Sequence, residues 1–187
     1  SVELLGEHAR RARFTPLAVE LPFGERRSPG GVVLPPLEIA LGGGLPAVAL
    51  RGRIDRVDLF VDDGGTPWAR VIDYKRRPRG LADARVFHGL DLQLLTYLLA
   101  ITTHGGALTG GRPVKPAAAL YFPVHDPLPL FDARPVADVA AKRWRTESRM
   151  KGLVVDDRDV LLAMGAEPDG PSPLLPVEMK KDGTLSK

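Results

Sequence analysis

The spacing of apolar positions changes along this chain, and each change marks an element. Leu17, Val19, Leu21 and Phe23 alternate with Ala18, Glu20 and Pro22, which predicts a strand. Pro22 puts that strand near a sheet edge, because proline cannot donate to a central ladder. Two further runs of β character, 52–58 and 71–75, flank Asp62-Asp63-Gly64-Gly65-Thr66-Pro67, a stretch of Asx residues, glycines and proline that reads as a turn. Together they predict a central hairpin within Leu50 to Arg79. From Leu90 to Thr102 the chain is apolar nearly all round, as a helix buried against a sheet should be. The run 117–124, bounded by Pro116 and Pro123, predicts a short buried strand, and strand, helix, strand implies a right-handed parallel crossover.

The remaining segments are quieter. Residues 1–13 read as the end of a helix and 24–37 as a loop, while Gly42-Gly43-Gly44 reads as a turn leading into the hairpin's first arm. A solvent-facing glycine-rich loop is expected over 104–116, an irregular stretch over 126–135 and a helix over 136–149. A short helix near 160–164 and an extended piece over 177–180 complete the picture. The expected fold class is α/β, one domain with a mixed sheet around the central hairpin.

The hairpin carries the chemistry. Centred near Gly64, antiparallel pairing sets Asp55 opposite Asp73, with Cβ atoms roughly 4.5–5.5 Å apart. Like charges that close destabilise a sheet unless something positive lies between them, and a hard divalent cation suits two carboxylates. Alternation puts Asp73, Lys75 and Val71 on one face, shared with Asp55, Val57 and Leu59, while Ile54, Arg56 and Phe60 face the other way. Two carboxylates and an ammonium on an apolar face are what metal-assisted phosphodiester hydrolysis needs.

The order Ile54-Asp55, then Asp73-Tyr74-Lys75, then a helix with Gln93 and Tyr97 four apart resembles RecB-like nucleases of the PD-(D/E)XK superfamily. The segments 14–24, 87–90, 150–154 and 180–187 narrow the likeness to the C-terminal nuclease domain in the B-type subunit of ATP-dependent helicase/deoxyribonuclease. That resemblance implies a restriction-endonuclease-like core and a DNA exonuclease dependent on Mg²⁺ or Mn²⁺. Asp55, Asp73 and the Tyr74 carbonyl would be metal ligands, with Glu20 a further candidate; Lys75 would position water, supported by Gln93 and Tyr97. It also implies a larger protein that processes DNA ends in double-strand-break repair, paired with the A-type subunit of a helicase–nuclease complex. In such proteins a histidine ligand lies on a helix before the first strand, expected to precede Ser1, and an iron–sulfur cluster takes cysteines from outside this region.

Composition permits this reading without establishing it. The net charge of +3 is compatible with nucleic acid, and arginine clusters such as Arg76, Arg77 and Arg79 beside the site suit phosphate contacts. With no cysteine, disulfides, thiolate zinc and an iron–sulfur site within this chain are excluded. The histidines lack metal-ligand spacing, and Gly42–Gly44 lacks the Gly-Lys-Ser/Thr of a phosphate-binding loop. The longest apolar run is too short to span a bilayer, so a cytoplasmic location and no membrane partner are expected. The residues leave an alternative open: a catalytically idle nuclease-fold module for DNA binding or assembly, with its acids ion-paired to Arg53, Arg56 and Arg76. An unrelated small-molecule enzyme is a third.

Overall fold

Two β-rich runs joined by an Asx-Gly turn can close on each other with little loop entropy, and in the computed structural model of the chain they do. The structure describes residues 6, 10–25, 31–76, 86, 88–89, 91–124 and 149–186. In chain order the strands are β1 (Thr15–Phe23), β2 (Leu37–Ile39), β3 (Val48–Leu50), β4 (Gly52–Val61) and β5 (Pro67–Lys75). Helix α1 (Gln93–His104) and a 3₁₀ turn (Gly105–Leu108) follow, then β6 (Lys115–Pro123), β7 (Lys151–Val154), α2 (Arg158–Ala163), β8 (Gly170–Pro171) and β9 (Glu178–Met179).

β4 and β5 pair antiparallel in the register centred on Gly64, from Val61 opposite Pro67 to Arg56 opposite Ile72. The turn is held by Asp62, whose carboxylate accepts from the Thr66 N–H at 2.8 Å and the Trp68 indole N–H at 2.9 Å. β1 adds antiparallel to β4 as the edge strand, consistent with its two prolines, and β6 adds parallel to β5. A parallel pair needs a crossover, and α1 is that crossover. β7 closes the five-stranded sheet in the order β1-β4-β5-β6-β7.

Both faces of the sheet are covered. On one, Ala69, Val71, Ala119 and Tyr121 pack against Leu94, Tyr97, Ala100 and Ile101 of α1. On the other, Trp68, Ile72, Leu120 and Phe122 meet Phe14, Leu161 and Met164 of and around α2, with Leu174, Leu175 and Met179 from the C-terminal segment. α2 starts on Asp157, whose side chain accepts from the N–H groups of Asp159 and Val160, an N-cap.

Several expectations need correction. Ile54 lies in the α1-side cluster with Val57, not on the face of Phe60. The break in alternation coincides with Glu20, opposite this part of β4, whose φ of 51° is left-handed and interrupts the pleat. The same break leaves Leu17 and Val19 exposed while Leu21 and Phe23 are buried. The Gly42–Gly44 turn belongs to a separate hairpin, β2–β3, and does not lead directly into β4. α1 is not buried all round, since Leu99 is 48% exposed. Residues 104–116 are only partly solvent-facing, as Gly105, Thr109 and Val114 are buried. The segments expected over 126–135 and 136–148, and most of 1–13 and 77–80, lie outside the described residues. No helix among the described residues is long and apolar enough to cross a membrane.

Candidate active site

β5 ends with Asp73-Tyr74-Lys75, and strand alternation turns Asp73 and Lys75 toward the α1 face. Asp73 is buried there, 1% exposed. The Lys75 ammonium, a quarter exposed, lies 2.5 Å from Asp73 Oδ2. It also donates to Gln93 Oε1 at 3.2 Å. Gln93 opens α1, and its Nε2 donates to the Tyr97 hydroxyl one turn on, at 2.9 Å. Tyr97 is buried and set edge-on to Phe23, with ring centres 6.1 Å apart. Gly52 explains itself here, since a Cβ at that position would meet the Phe23 ring at 2.9 Å. The structure thus strings Asp73, Lys75, Gln93 and Tyr97 together by one ion pair and two hydrogen bonds, reaching from the sheet to the helix.

Asp55 joins from the neighbouring strand. The β4–β5 ladder stops at Arg56 opposite Ile72. One step further, where Asp55 comes level with Asp73, Asp55 Oδ2 accepts from the Tyr74 backbone N–H at 3.0 Å, so a carboxylate stands in for a ladder carbonyl. That is the only hydrogen bond of Asp55 among the described residues, and its second oxygen is left uncommitted.

The opposite face of the same strands holds a separate charge network. Asp58 and Arg70 are both fully buried and joined by Arg70 Nη2 at 2.6 Å and Nε at 2.9 Å. Arg56 adds two bonds to the Asp58 carboxylate, at 2.6 and 3.0 Å, and donates to the Tyr74 hydroxyl at 3.4 Å. Burial pulls the Arg70 guanidinium down to about 10, with Asp58 acting in the other direction, so it stays charged at neutral pH. Tyr74 therefore contributes its main chain to the site while its ring packs away from it, edge-on to Phe122.

This arrangement corrects the ion pairs expected of an idle module. Arg56 pairs with Asp58, not with a site carboxylate, and Arg53 pairs with Glu25 at 3.2 Å and approaches Glu20 at 4.0 Å. Glu20 is correspondingly turned outward, two-thirds exposed beside Arg53. Among the described residues no group of three His, Cys, Asp or Glu is placed to hold a metal ion, so Glu20 does not complete a trio with Asp55 and Asp73. The donor set still fits a hard cation. Mg²⁺ characteristically takes one or two carboxylates and completes its shell with water and substrate phosphate. Asp55, with one free oxygen, and Asp73, already attracting a cation, supply that pair.

Two residues of this neighbourhood escaped sequence reasoning. The Tyr121 hydroxyl donates to Asp91 Oδ1 at 2.8 Å, both residues being buried, and the Lys75 ammonium lies 5.6 Å from the centre of the Tyr121 ring. The signal available was Asp91 itself, a charge interrupting an apolar run, which must find a partner when buried.

With this geometry established, comparison with known proteins is informative. The model of the PD-(D/E)XK nuclease superfamily matches residues 1–164. The chain is 44% identical over its whole length to the B-type subunit of ATP-dependent helicase/deoxyribonuclease from Symbiobacterium thermophilum, covering 15% of that protein. It is 43% identical to the corresponding proteins of Moorella thermoacetica, over the whole chain and 16% of the relative, and Desulforudis audaxviator, over 98% of the chain and 15% of the relative. The chain therefore spans about 15% of the length of the curated relatives it matches.

Proposed function

Because the chain belongs to the PD-(D/E)XK nuclease superfamily, we propose that Asp55, Asp73 and Lys75 hydrolyse DNA phosphodiester bonds with the help of Mg²⁺ or Mn²⁺. The observation that carries this reading is the meeting of two carboxylates from adjacent strands beside an ammonium tied to α1. PD-(D/E)XK nucleases generally use divalent metal ions. Asp55, Asp73 and the Tyr74 carbonyl would hold the ion, which when bound supplies Lewis-acid polarisation of phosphate and a more acidic water.

The chain's own residues do the rest. Lys75 presents three N–H donors, of which Gln93 engages one while Asp73 pairs with its charge, leaving donor capacity to orient an attacking water or to meet charge developing on the phosphate. Gln93 fixes that ammonium and Tyr97 fixes Gln93, so the cation is aimed before substrate arrives. Asp73 is buried against the Lys75 ammonium, which strengthens the attraction between the two charges.

The relatives' names, each the B-type component of a helicase/deoxyribonuclease, extend the proposal to a larger setting. The chain is one nuclease domain of a longer protein that pairs with the A-type component of a helicase–nuclease complex. It acts as an exonuclease on DNA ends in double-strand-break repair, in the cytoplasm. The iron–sulfur segment and the upstream histidine helix belong to the rest of that protein.

End-labelled single- and double-stranded DNA, incubated with Mn²⁺, Mg²⁺ or EDTA, tests the core of this. Cutting that needs the metal and falls by about a thousandfold in Asp73→Ala and Lys75→Ala supports it. Cutting that survives in either variant, or in EDTA, overturns it. One observation favours a second reading, an idle DNA-binding or assembly module: Glu20 is drawn to Arg53 and no trio of ligands forms among the described residues. That reading expects DNA affinity with no metal dependence and no cleavage by the unaltered chain.

A further inference from the structure

The sheet register extends the site beyond the residues used above. β5 pairs with β6 at Asp73 and Tyr121, and β6 pairs with β7 at Tyr121 and Lys151. Residues paired across a sheet share a face, so Asp73, Tyr121 and Lys151 form one row on the side of α1. At about 4.8 Å per strand, the row sets the Lys151 backbone about 10 Å from that of Asp73. A stacked nucleic-acid strand rises about 3.4 Å per nucleotide, so a strand bridging that span needs at least about three nucleotides.

The middle of this row is closed, since Asp73 and Tyr121 are each 1% exposed and Tyr121 lies under α1, so a strand reaches from the active site to the open Lys151 end around the row and not along it. Tyr121 sits between two lysines, its hydroxyl fixed on Asp91 and its ring beneath the Lys75 ammonium. Lys151 is exposed and, among the described residues, has no carboxylate within ion-pair distance. Its neighbour Arg149 carries a buried Nε–H that meets no acceptor among the described residues. That Nε–H is itself closed to solvent, so Arg149 meets a phosphate through the part of it that lines the cleft beside β7. Arg149 and Lys151 line a single cleft of about 620 Å³ along the outer edge of β7. Its other wall is formed by Val177, Leu185 and Ser186 with a single carboxylate, Glu178. Two cations against one anion leave the cleft positive.

We infer that Lys151 and Arg149 form a phosphate subsite that grips the nucleic-acid backbone at least about three nucleotides from the bond being cut. The identity of the gripped strand rests on the nuclease reading above. The grip is electrostatic and sequence-independent, and it acts on binding more than on the chemical step.

Two measurements on the same protein test it. In the first, fluorescence anisotropy of a labelled single-stranded oligonucleotide is followed in EDTA over a salt series. Lys151→Gln is expected to weaken binding about tenfold and to reduce the magnitude of the salt slope by about 0.7, with Lys151→Arg restoring both. In the second, cleavage in Mn²⁺ is compared across strand lengths. The penalty of Lys151→Gln is expected in KM, about tenfold on strands longer than three nucleotides, and to fall away on a dinucleotide. Unaltered affinity and slope in Lys151→Gln would mean an ordinary surface lysine and overturn the subsite. An equal loss on the dinucleotide would mean a disturbed fold or active centre and overturn it too. If the unaltered protein cuts nothing in any metal, the nuclease reading fails, and the anisotropy series still decides the subsite.

Discussion

At the scale of single residues, the side chain that decides the site's precision is Gln93. Its amide carbonyl accepts a hydrogen bond from the Lys75 ammonium and its amide nitrogen donates to the Tyr97 hydroxyl, so one residue couples the ammonium to α1. Partners at this remove typically change activity by about 10–100-fold when lost. Gln93→Ala is therefore expected to lower kcat by about that factor with little change in KM, measured by steady-state cleavage in Mn²⁺. Gln93→Glu, which keeps an acceptor for Lys75, should recover part of the loss. A Gln93→Ala enzyme with full kcat would remove the residue from the positioning chain. The pair Gln93 and Tyr97 was legible because their spacing along a helix forces them together. Asp91 and Tyr121 were not, since their contact spans 30 residues of chain and no local pattern encodes it.

The elements show why one register could be read and one face could not. Asp62 both ends β4 and holds the turn, through the Trp68 indole and the Thr66 N–H, and these bonds keep its carboxyl below the ordinary range. A lowered value stabilises the fold fully above the unfolded carboxyl's value of about 3.9, and the contribution is lost as pH falls through the folded value. Asp62→Ala is thus expected to lower Tm by a few degrees at neutral pH, with the gap to the unaltered chain closing below about pH 4. A gap independent of pH would show that the turn gains nothing from the charge. Because the turn is fixed locally, the pairing of β4 with β5 followed from counting outward from Gly64, as far as Arg56 opposite Ile72. Alternation then failed at Ile54 because Glu20, across the ladder, adopts a left-handed φ of 51° that no pattern of apolar residues announces. The β2–β3 hairpin was missed for a related reason, its strands being only three residues each.

For the molecule as a whole, the sheet separates two charge systems that would otherwise compete. Asp58, Arg70 and Arg56 neutralise one another on the α2 face, whereas Asp73 faces α1 beside Lys75 and Asp55 reaches the adjoining Tyr74 N–H. The first system is closed: breaking it by removing one partner leaves a buried charge, at a cost of about 3–5 kcal/mol. The second carries two negative charges against one positive, and folding holds them together at the cost of their repulsion. A ligand that binds the folded chain and not the unfolded one stabilises by mass action, by about 2.7 kcal/mol at a hundred times its dissociation constant. Thermal unfolding of the unaltered chain is accordingly expected to rise by several degrees in Mg²⁺ or Mn²⁺ relative to EDTA. In Asp73→Ala the rise should vanish, and in Asp58→Ala, where folding is retained, it should persist on a lower baseline. This readout needs no cleavage, so it separates a site that binds a cation from one that only resembles such a site. A rise of equal size in Asp73→Ala would place the cation elsewhere, and no rise in any variant would leave Lys75 as the sole counter-charge of the two carboxylates.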